Sequence, residues 1–324
     1  MDAVLLALAS AVSFGAMTVS LRAALKRHPK PDVGAVASTV VAALVAVVAI
    51  AFERGGGEAA SAKELGIFAV AGLLAPGVSQ IFFTLAVKEA GASRTSVVAG
   101  TAPLFAATLA IVLLDEPFEW ALALGAVLIV GAGGLLVGDT ARSLDFRLVG
   151  IGYALLATSL FTSRDVLVRW YSEDAALASV EAAAAALSAG ALVMLAWAAI
   201  ERRGALVTAL ASPALLRFVV PGFFFGLSYV LLFAAVYRGK LTVVSPLVAT
   251  ESLWGVLLAA IFLRSSELVG LRLALGAVLV VAGGVLRRLP VSTPARRYLR
   301  VAAARRRSKR SIRPPRGAAR STPV

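Results

Sequence analysis

Apolar stretches recur along the chain, and each is close to the length that a helix needs to cross a membrane. The hydrocarbon core of a bilayer is about 30 Å thick, so a helix rising 1.5 Å per residue needs roughly 20 apolar residues. Short connections that carry most of the charge separate ten such segments, at about 3–25, 33–52, 65–87, 93–114, 119–138, 148–170, 178–200, 214–237, 241–263 and 267–286. These runs lack the period-two alternation of barrel strands. The pattern therefore predicts an all-α integral membrane protein with ten transmembrane helices.

The fifth and tenth segments have nearly the same sequence. LALGAVLIVGAG at 122–133 aligns without gaps with LALGAVLVVAGG at 273–284, and nine of the twelve positions are identical. Three further registrations support a repeat: Phe14 with Phe161 and Arg22 with Arg169, residues 77–79 with residues 226–228, and Glu116 with Glu267. Because each half has five helices, an odd number, consecutive copies enter the bilayer in opposite senses. Secondary transporters use this inverted-repeat arrangement.

The repeat also fixes the predicted domain organisation. The first half covers residues 1–138, a connecting loop covers 139–147, and the second half covers 148–288. Residues 289–324 form a basic tail that is low in apolar residues, and we expect it to be disordered.

Both halves end in the same way, with an apolar helix, a short acidic corner and a glycine-rich last helix. The corners are LLDEP at 113–117 and FLRSSE at 262–267. This pattern resembles the two EamA repeats of the drug/metabolite transporter superfamily, over residues 3–288. Two features depart from it: the second corner is longer, and Ser252 stands where a proline often follows the glutamate of the ninth helix.

The resemblance implies a secondary transporter that exports small metabolites or amino-acid-like solutes by alternating access. A flippase for lipid-linked substrates, built on the same fold, is the nearest alternative. An integral-membrane enzyme is a more distant one, because the chain has no cysteine and a single histidine, His28. We therefore expect no catalytic residue, no metal and no cofactor. No G-x-x-x-x-G-K-[ST] sequence is present, which excludes direct coupling to ATP within this chain.

Glu251 is the clearest polar candidate inside the membrane. A charged side chain at the bilayer centre costs at least ~2.5–3.5 kcal/mol, so such a residue is a functional candidate. Glu251 lies about ten positions into the ninth segment, roughly 15 Å deep. Ser245, Pro246, Thr250 and Trp254 share a partly polar helix face with it. We expect Glu251 to handle substrate or protons, and the alternative is a structural carboxyl group bonded to a neighbouring helix.

A second set of polar and aromatic residues lies centrally in several segments. Gln80 falls opposite Tyr229 in the repeat registration. We expect a cavity wall that combines aromatic faces with hydrogen-bonding groups. Its predicted members are Gln80, Tyr229, Ser13, Phe14, Phe83, Thr101, Phe161, Thr162 and Trp254. The alternative is ordinary packing, because serine and threonine join membrane helices and aromatic rings fill space.

Three charged residues lie near the far end of the sixth segment: Arg164, Asp165 and Arg169. Asp165 and Arg169 have the i, i+4 spacing that favours an ion pair on a helix. A gate is one interpretation of this group. Snorkelling of the two arginines to the membrane interface is the other.

The net charge of +14 comes almost entirely from the tail. Residues 287–324 hold 13 Lys and Arg and no Asp or Glu, which leaves 19 basic and 18 acidic residues before them. A basic tail favours a cytoplasmic C-terminus, and ten helices then place the N-terminus on the same side. The short loops argue for the reverse, because Lys26, Arg27 and Lys30 would then lie outside.

We expect both termini in the cytoplasm and a location in the bacterial inner (plasma) membrane, in agreement with the family arrangement. The tail would then bind anionic lipid headgroups, and no nucleic-acid partner is expected. The other expected partner is a small-molecule substrate. The sequence does not fix the oligomeric state, and it is consistent with a monomer.

Residues 290–324 should be dispensable for the fold, because they contain no apolar run that could pack on the helices. Deleting them is expected to leave the melting temperature of the purified protein nearly unchanged, while inverting or mixing its topology. A large loss of thermal stability with the topology intact would contradict this prediction.

Overall fold

Every secondary-structure element that the structure describes is helical. The computed structural model describes residues 2–52, 61–102, 104–105, 128, 147–172, 177–201, 213–238, 244, 247–263 and 271–286. Its α-helices are α1 (Ala3–Arg27), α2 (Pro31–Phe52), α3 (Ala62–Gly72), α4 (Ser79–Ala90), α5 (Ala92–Ala99), α6 (Val149–Ser172), α7 (Ser179–Glu201), α8 (Val219–Arg238), α9 (Glu251–Phe262) and α10 (Leu271–Leu286). The predicted all-α class is confirmed.

Six helical stretches are long and apolar enough to cross a membrane. They are Ala3–Arg27, Pro31–Phe52, Ala62–Ala90, Val149–Val168, Ser179–Ile200 and Leu215–Arg238. They coincide with the predicted first, second, third, sixth, seventh and eighth segments. A shorter apolar helix, Leu247–Phe262, lies in the ninth. Nearly all of the fifth segment, much of the fourth, the first acidic corner, most of the second and the tail lie outside the described residues, so the total of ten helices stays a prediction.

The third span is not one continuous α-helix. Ser61 caps its start, because its Oγ accepts a hydrogen bond from the Glu64 backbone N–H while the Glu64 side chain accepts one from the Ser61 backbone. A π-helical stretch, Leu73–Val78, then separates α3 from α4 and contains Pro76. Proline has no N–H to donate to the helix, so the regular hydrogen-bond pattern is interrupted there. The uniform apolar run at 65–87 predicted the span but not this break.

The contacts between helices repeat when the helices of the two predicted halves are exchanged. If α1 is exchanged with α6, α2 with α7, the α3–α4 span with α8, and α5 with α9, the main helix pairs map onto one another. The α1–α8 pair becomes α6–α4, the α2–α8 pair becomes α7–α3, and the α1–α9 pair becomes α6–α5. The α2–α7 and α5–α9 pairs map onto themselves. These are the exchanges that a repeat of the two predicted halves requires.

Small residues allow several helices to approach closely, which is typical of membrane bundles. A β-carbon at Gly72 would overlap the backbone carbonyl of Ala186, where α3 meets α7. A β-carbon at Gly15 would lie 2.9 Å from the backbone nitrogen of Gly255, where α1 meets α9. Val19 and Ala259, one turn further along each helix, are packed in one cluster, so α1 and α9 run parallel.

Candidate functional site

Three phenylalanines from three helices meet in the core of the bundle. The ring centres of Phe14 on α1 and Phe83 on α4 are 5.2 Å apart. Phe161 on α6 lies 6.0 Å from Phe14 and 5.9 Å from Phe83, and all three contacts are edge-to-face. This is the favoured geometry for aromatic pairs. The structure thus brings together three predicted cavity residues that are far apart in the sequence.

Arg164 connects this aromatic group with a second one on α8. Its guanidinium carbon lies 4.4 Å from the ring centre of Tyr229 and 5.8 Å from those of Phe161 and Phe233. The Tyr229 and Phe233 rings are stacked with their centres 6.0 Å apart. Arginine above an aromatic face gains cation–π attraction, which is strongest where water is excluded. The Arg164 side chain is only 3% exposed, so it does not extend to solvent.

The hydrogen bonding of Arg164 is incomplete. Its Nη2 lies 2.9 Å from Oδ1 of Asp165, and the two form an ion pair. Within the part of the chain that the structure describes, Nε and Nη1 of Arg164 have no hydrogen-bond partner. The side chain of Arg169 lies outside that part, so the predicted Asp165–Arg169 pair stays a prediction. The contact that the structure shows for Asp165 is with Arg164, the preceding residue in the sequence.

Asp165 lies on the inward face of α6 but remains partly exposed. It lies four residues after Phe161 and three after Thr162, on the face of α6 whose other residues are buried. The Asp165 side chain is nevertheless 39% exposed, against 3% for Arg164. The exposed apolar residues of α6 lie on the opposite face, so Asp165 is a partly exposed carboxylate on the side of α6 that packs in the bundle.

Glu251 lies close enough to this pair to interact with it electrostatically. Both Asp165 and Arg164 contribute to its electrostatic environment, although α6 and α9 are far apart in the sequence. Glu251 is the first residue of α9, and it is half-buried. Trp254, one turn later and half-buried, packs its Cβ against Gly15 of α1. Thr250 donates a hydrogen bond to the Leu247 carbonyl, and Ser245 and Pro246 lie outside the described residues.

Gln80 and Tyr229, which the repeat registration pairs, are both fully buried. The Gln80 side-chain nitrogen donates to Oγ of Ser38 on α2 over 3.4 Å. Among the described residues, the Gln80 carbonyl oxygen and the Tyr229 hydroxyl have no hydrogen-bond partner. Unpaired polar atoms are costly in an apolar core. They are therefore candidates for contact with a bound molecule.

The predicted hydroxyl-bearing residues bond to their own helices. Ser13 donates to the Ala9 carbonyl, Thr162 to the Thr158 carbonyl and Thr101 to the Val98 carbonyl. All three side chains are buried. These bonds agree with the alternative interpretation, in which such residues serve ordinary helix packing. Each hydroxyl group already donates its hydrogen to a backbone carbonyl in this arrangement.

Sequence reasoning missed the central position of Arg164. One signal was available, because Arg164 follows Phe161 at the i, i+3 spacing that places both on one helix face. The repeat registration of Phe14 with Phe161 also aligns Arg164 and Asp165 with Met17 and Thr18 of the first half. The charged pair therefore has no charged counterpart in the other repeat.

Comparison with known proteins gives a family match over the first part of the chain and a similar fold. The model of the EamA-like transporter family matches residues 1–138. One solved crystal structure, described only as that of a protein, shares 18% sequence identity and has a TM-score of 0.62. That match covers 90% of this chain and 99% of the other, and it bears on the fold alone. No curated protein matches the chain.

Six helices that are long and apolar enough to cross a membrane indicate an integral, multi-pass membrane protein, and residues 1–138 are similar to a family of transporters. The resemblance to the EamA-like transporters of the drug/metabolite transporter superfamily is thereby confirmed over residues 1–138.

Proposed function

We propose that this protein is a secondary transporter that exports small metabolites or amino-acid-like solutes by alternating access. We place it in the bacterial inner membrane with both termini in the cytoplasm. The observation that carries the proposal is the group formed by Arg164, Asp165 and Glu251 inside an apolar bundle, beside aromatic rings from α1, α4, α6 and α8. Ionisable residues within membrane spans are expensive, and they commonly mark substrate or ion pathways.

The helices around this group support the proposal, because they come from both predicted halves. Phe14 and Phe83 belong to the first half, and Arg164, Tyr229 and Glu251 belong to the second. In transporters built from inverted repeats, the substrate site lies at the interface between the repeats. The helix contacts repeat when the two halves are exchanged, which is consistent with this construction.

Glu251 is the residue that we assign to proton coupling. It is half-buried at the first turn of α9, within electrostatic reach of Arg164 and Asp165. A carboxyl group in this position can exchange a proton with whichever side of the membrane the site is open to. Substrate movement and proton movement would then share one site.

Alternating access can be tested directly, because the natural chain contains no cysteine. A single cysteine at Ser13, which is buried on α1, should react with a membrane-impermeant thiol reagent applied from either side of reconstituted vesicles. A matched cysteine at Leu44, which is exposed on the apolar surface of α2, should react from neither side. Reaction of the Ser13 variant from one side alone would contradict the proposal.

The solute and the direction of transport need a second experiment. Metabolite profiles of cells that lack the protein should be compared with those of cells that overproduce it. We expect the exported solutes to accumulate inside the first and outside the second, and the purified protein should then move them across vesicle membranes. Unchanged profiles and no flux would contradict export.

A further inference from the structure

We propose that Arg164 is the anion receptor of this site, and that it binds the carboxylate of a solute whose apolar body lies against the phenylalanine rings. This inference rests on the proposed transport function, because it names the class of solute carried. It goes beyond the sequence-based interpretations of Arg164, which were a gate or an interface residue.

The donors of Arg164 support a ligand. A guanidinium group carries five N–H donors: one on Nε and two on each Nη nitrogen. Asp165 engages Nη2, and the donors on Nε and Nη1 have no partner in the described parts of the chain. Three N–H groups are thus available on a side chain that is only 3% exposed. Because the Nε and Nη1 donors point to different edges of the guanidinium plane, a carboxylate would accept charge-assisted hydrogen bonds from part of this set, and such bonds are the strong ones in proteins.

The rings next to Arg164 define the rest of the ligand. Phe161 lies beside the guanidinium group and also contacts Phe14 and Phe83. An anion-binding group and an aromatic surface are therefore adjacent. A solute with a carboxylate at one end and an apolar or aromatic body at the other fits both.

The charges around Arg164 favour a carboxylate over a phosphate. Within the described site, the one arginine is accompanied by two acidic side chains, Asp165 and Glu251. A phosphate group carries close to two negative charges near neutral pH. The two acidic residues would repel such a phosphate more strongly than the one arginine can compensate. A carboxylate carries a single negative charge, so they repel it less.

Asp165 acts in this scheme as the internal competitor of the solute. It holds Arg164 through one nitrogen, and its own side chain is 39% exposed. A solute carboxylate that binds the other donors lies on the same guanidinium group as Asp165, so the two negative charges repel each other. Removing the Asp165 charge should therefore strengthen solute binding, an effect that a purely structural Arg164 would not produce.

The test uses the full-length purified protein in detergent and two matched probes, 3-phenylpropionate and its neutral amide. Calorimetry should show that the acid binds about tenfold more tightly than the amide, or better, as expected for a hydrogen-bonded charged group. Arg164→Gln should abolish the preference for the acid, and Arg164→Lys should retain part of it. Asp165→Asn should bind the acid several-fold more tightly than the natural protein.

Arg22→Gln is the control for the loss of a buried arginine. Arg22 donates through Nη1 to the carbonyls of Val87 and Lys88 at the end of α4, and its own helix position is remote from the α6 pair. This variant should keep the preference for the acid, whatever its effect on stability.

Equal binding of acid and amide by the natural protein would overturn the inference, as would no binding of the acid. A preference that survives in Arg164→Gln, or weaker acid binding in Asp165→Asn, would also overturn it. If Arg164→Gln fails to fold, the inference is still tested by the natural protein and by the Asp165→Asn variant. Cysteine labelling at Ser13 involves no ligand, so a failure of alternating access would be seen separately.

Discussion

Glu251→Gln is expected to abolish the pH dependence of transport and to leave the protein folded. Glutamine keeps the size of the side chain and can still form hydrogen bonds, but it cannot bind and release a proton. The charged groups that face this position from α6 are Arg164 and Asp165. Glu251→Ala should transport less than Glu251→Gln, because it also removes a hydrogen-bonding partner from a buried site.

The measurement is solute flux into vesicles over a range of pH, together with the melting temperature of each variant. Glu89→Gln is a suitable control, because Glu89 pairs with Arg147 over 3.2 Å at the helix ends, away from the site. That control should keep the pH profile of the natural protein. Transport by Glu251→Gln with an unaltered pH profile would eliminate the coupling role of Glu251. A parallel Asp165→Asn variant shows whether the second carboxyl group contributes to the profile.

Gly72→Ala is expected to destabilise the protein strongly, although it adds only one methyl group. A β-carbon at Gly72 would overlap the backbone carbonyl of Ala186 on α7. Backbone cannot move aside as a flexible side chain can, so α3 and α7 must separate. Overpacking of this kind costs roughly 1–3 kcal/mol.

Gly66→Ala provides the matched control, because Gly66 lies in the same helix and a β-carbon there meets nothing within 4 Å. Alanine favours a helix over glycine by about 1 kcal/mol, so this variant should melt at the same temperature as the natural protein or higher. The comparison needs only thermal unfolding of the two variants and the natural protein. Equal melting temperatures for Gly72→Ala and Gly66→Ala would show that the α3–α7 contact is looser than described.

The positions of the helices were predictable because bilayer thickness sets their length. The helices α1, α2, α6, α7 and α8 lie where apolar segments were expected. The inward face of each helix was not predictable in the same way, since lipid and protein core both select apolar residues. Leu44 faces outward and Ala42 is fully buried, yet both lie in the same apolar run. Periodicity therefore carries little information about orientation in a membrane bundle.

The candidate site was predictable where its chemistry is unusual. Glu251 stood out because a carboxylate is rare in an apolar run, and the repeat registration paired Gln80 with Tyr229. Arg164 was placed at an interface because it lies near the end of its span, and its position above Tyr229 depends on packing between α6 and α8. The break at Leu73–Val78 was missed because a single proline does not fix where a helix will divide.

The alignment of Arg164 with Met17 bears on how this molecule could have evolved. If the two halves descend from one duplicated unit, they began with the same residue at both positions. Two arginines there would flank the contact between Phe14 and Phe161, whose rings are 6.0 Å apart, and like charges repel strongly in such a water-poor region. In the present chain only the second half carries this cation, so like charges do not meet there although the helices around the site repeat.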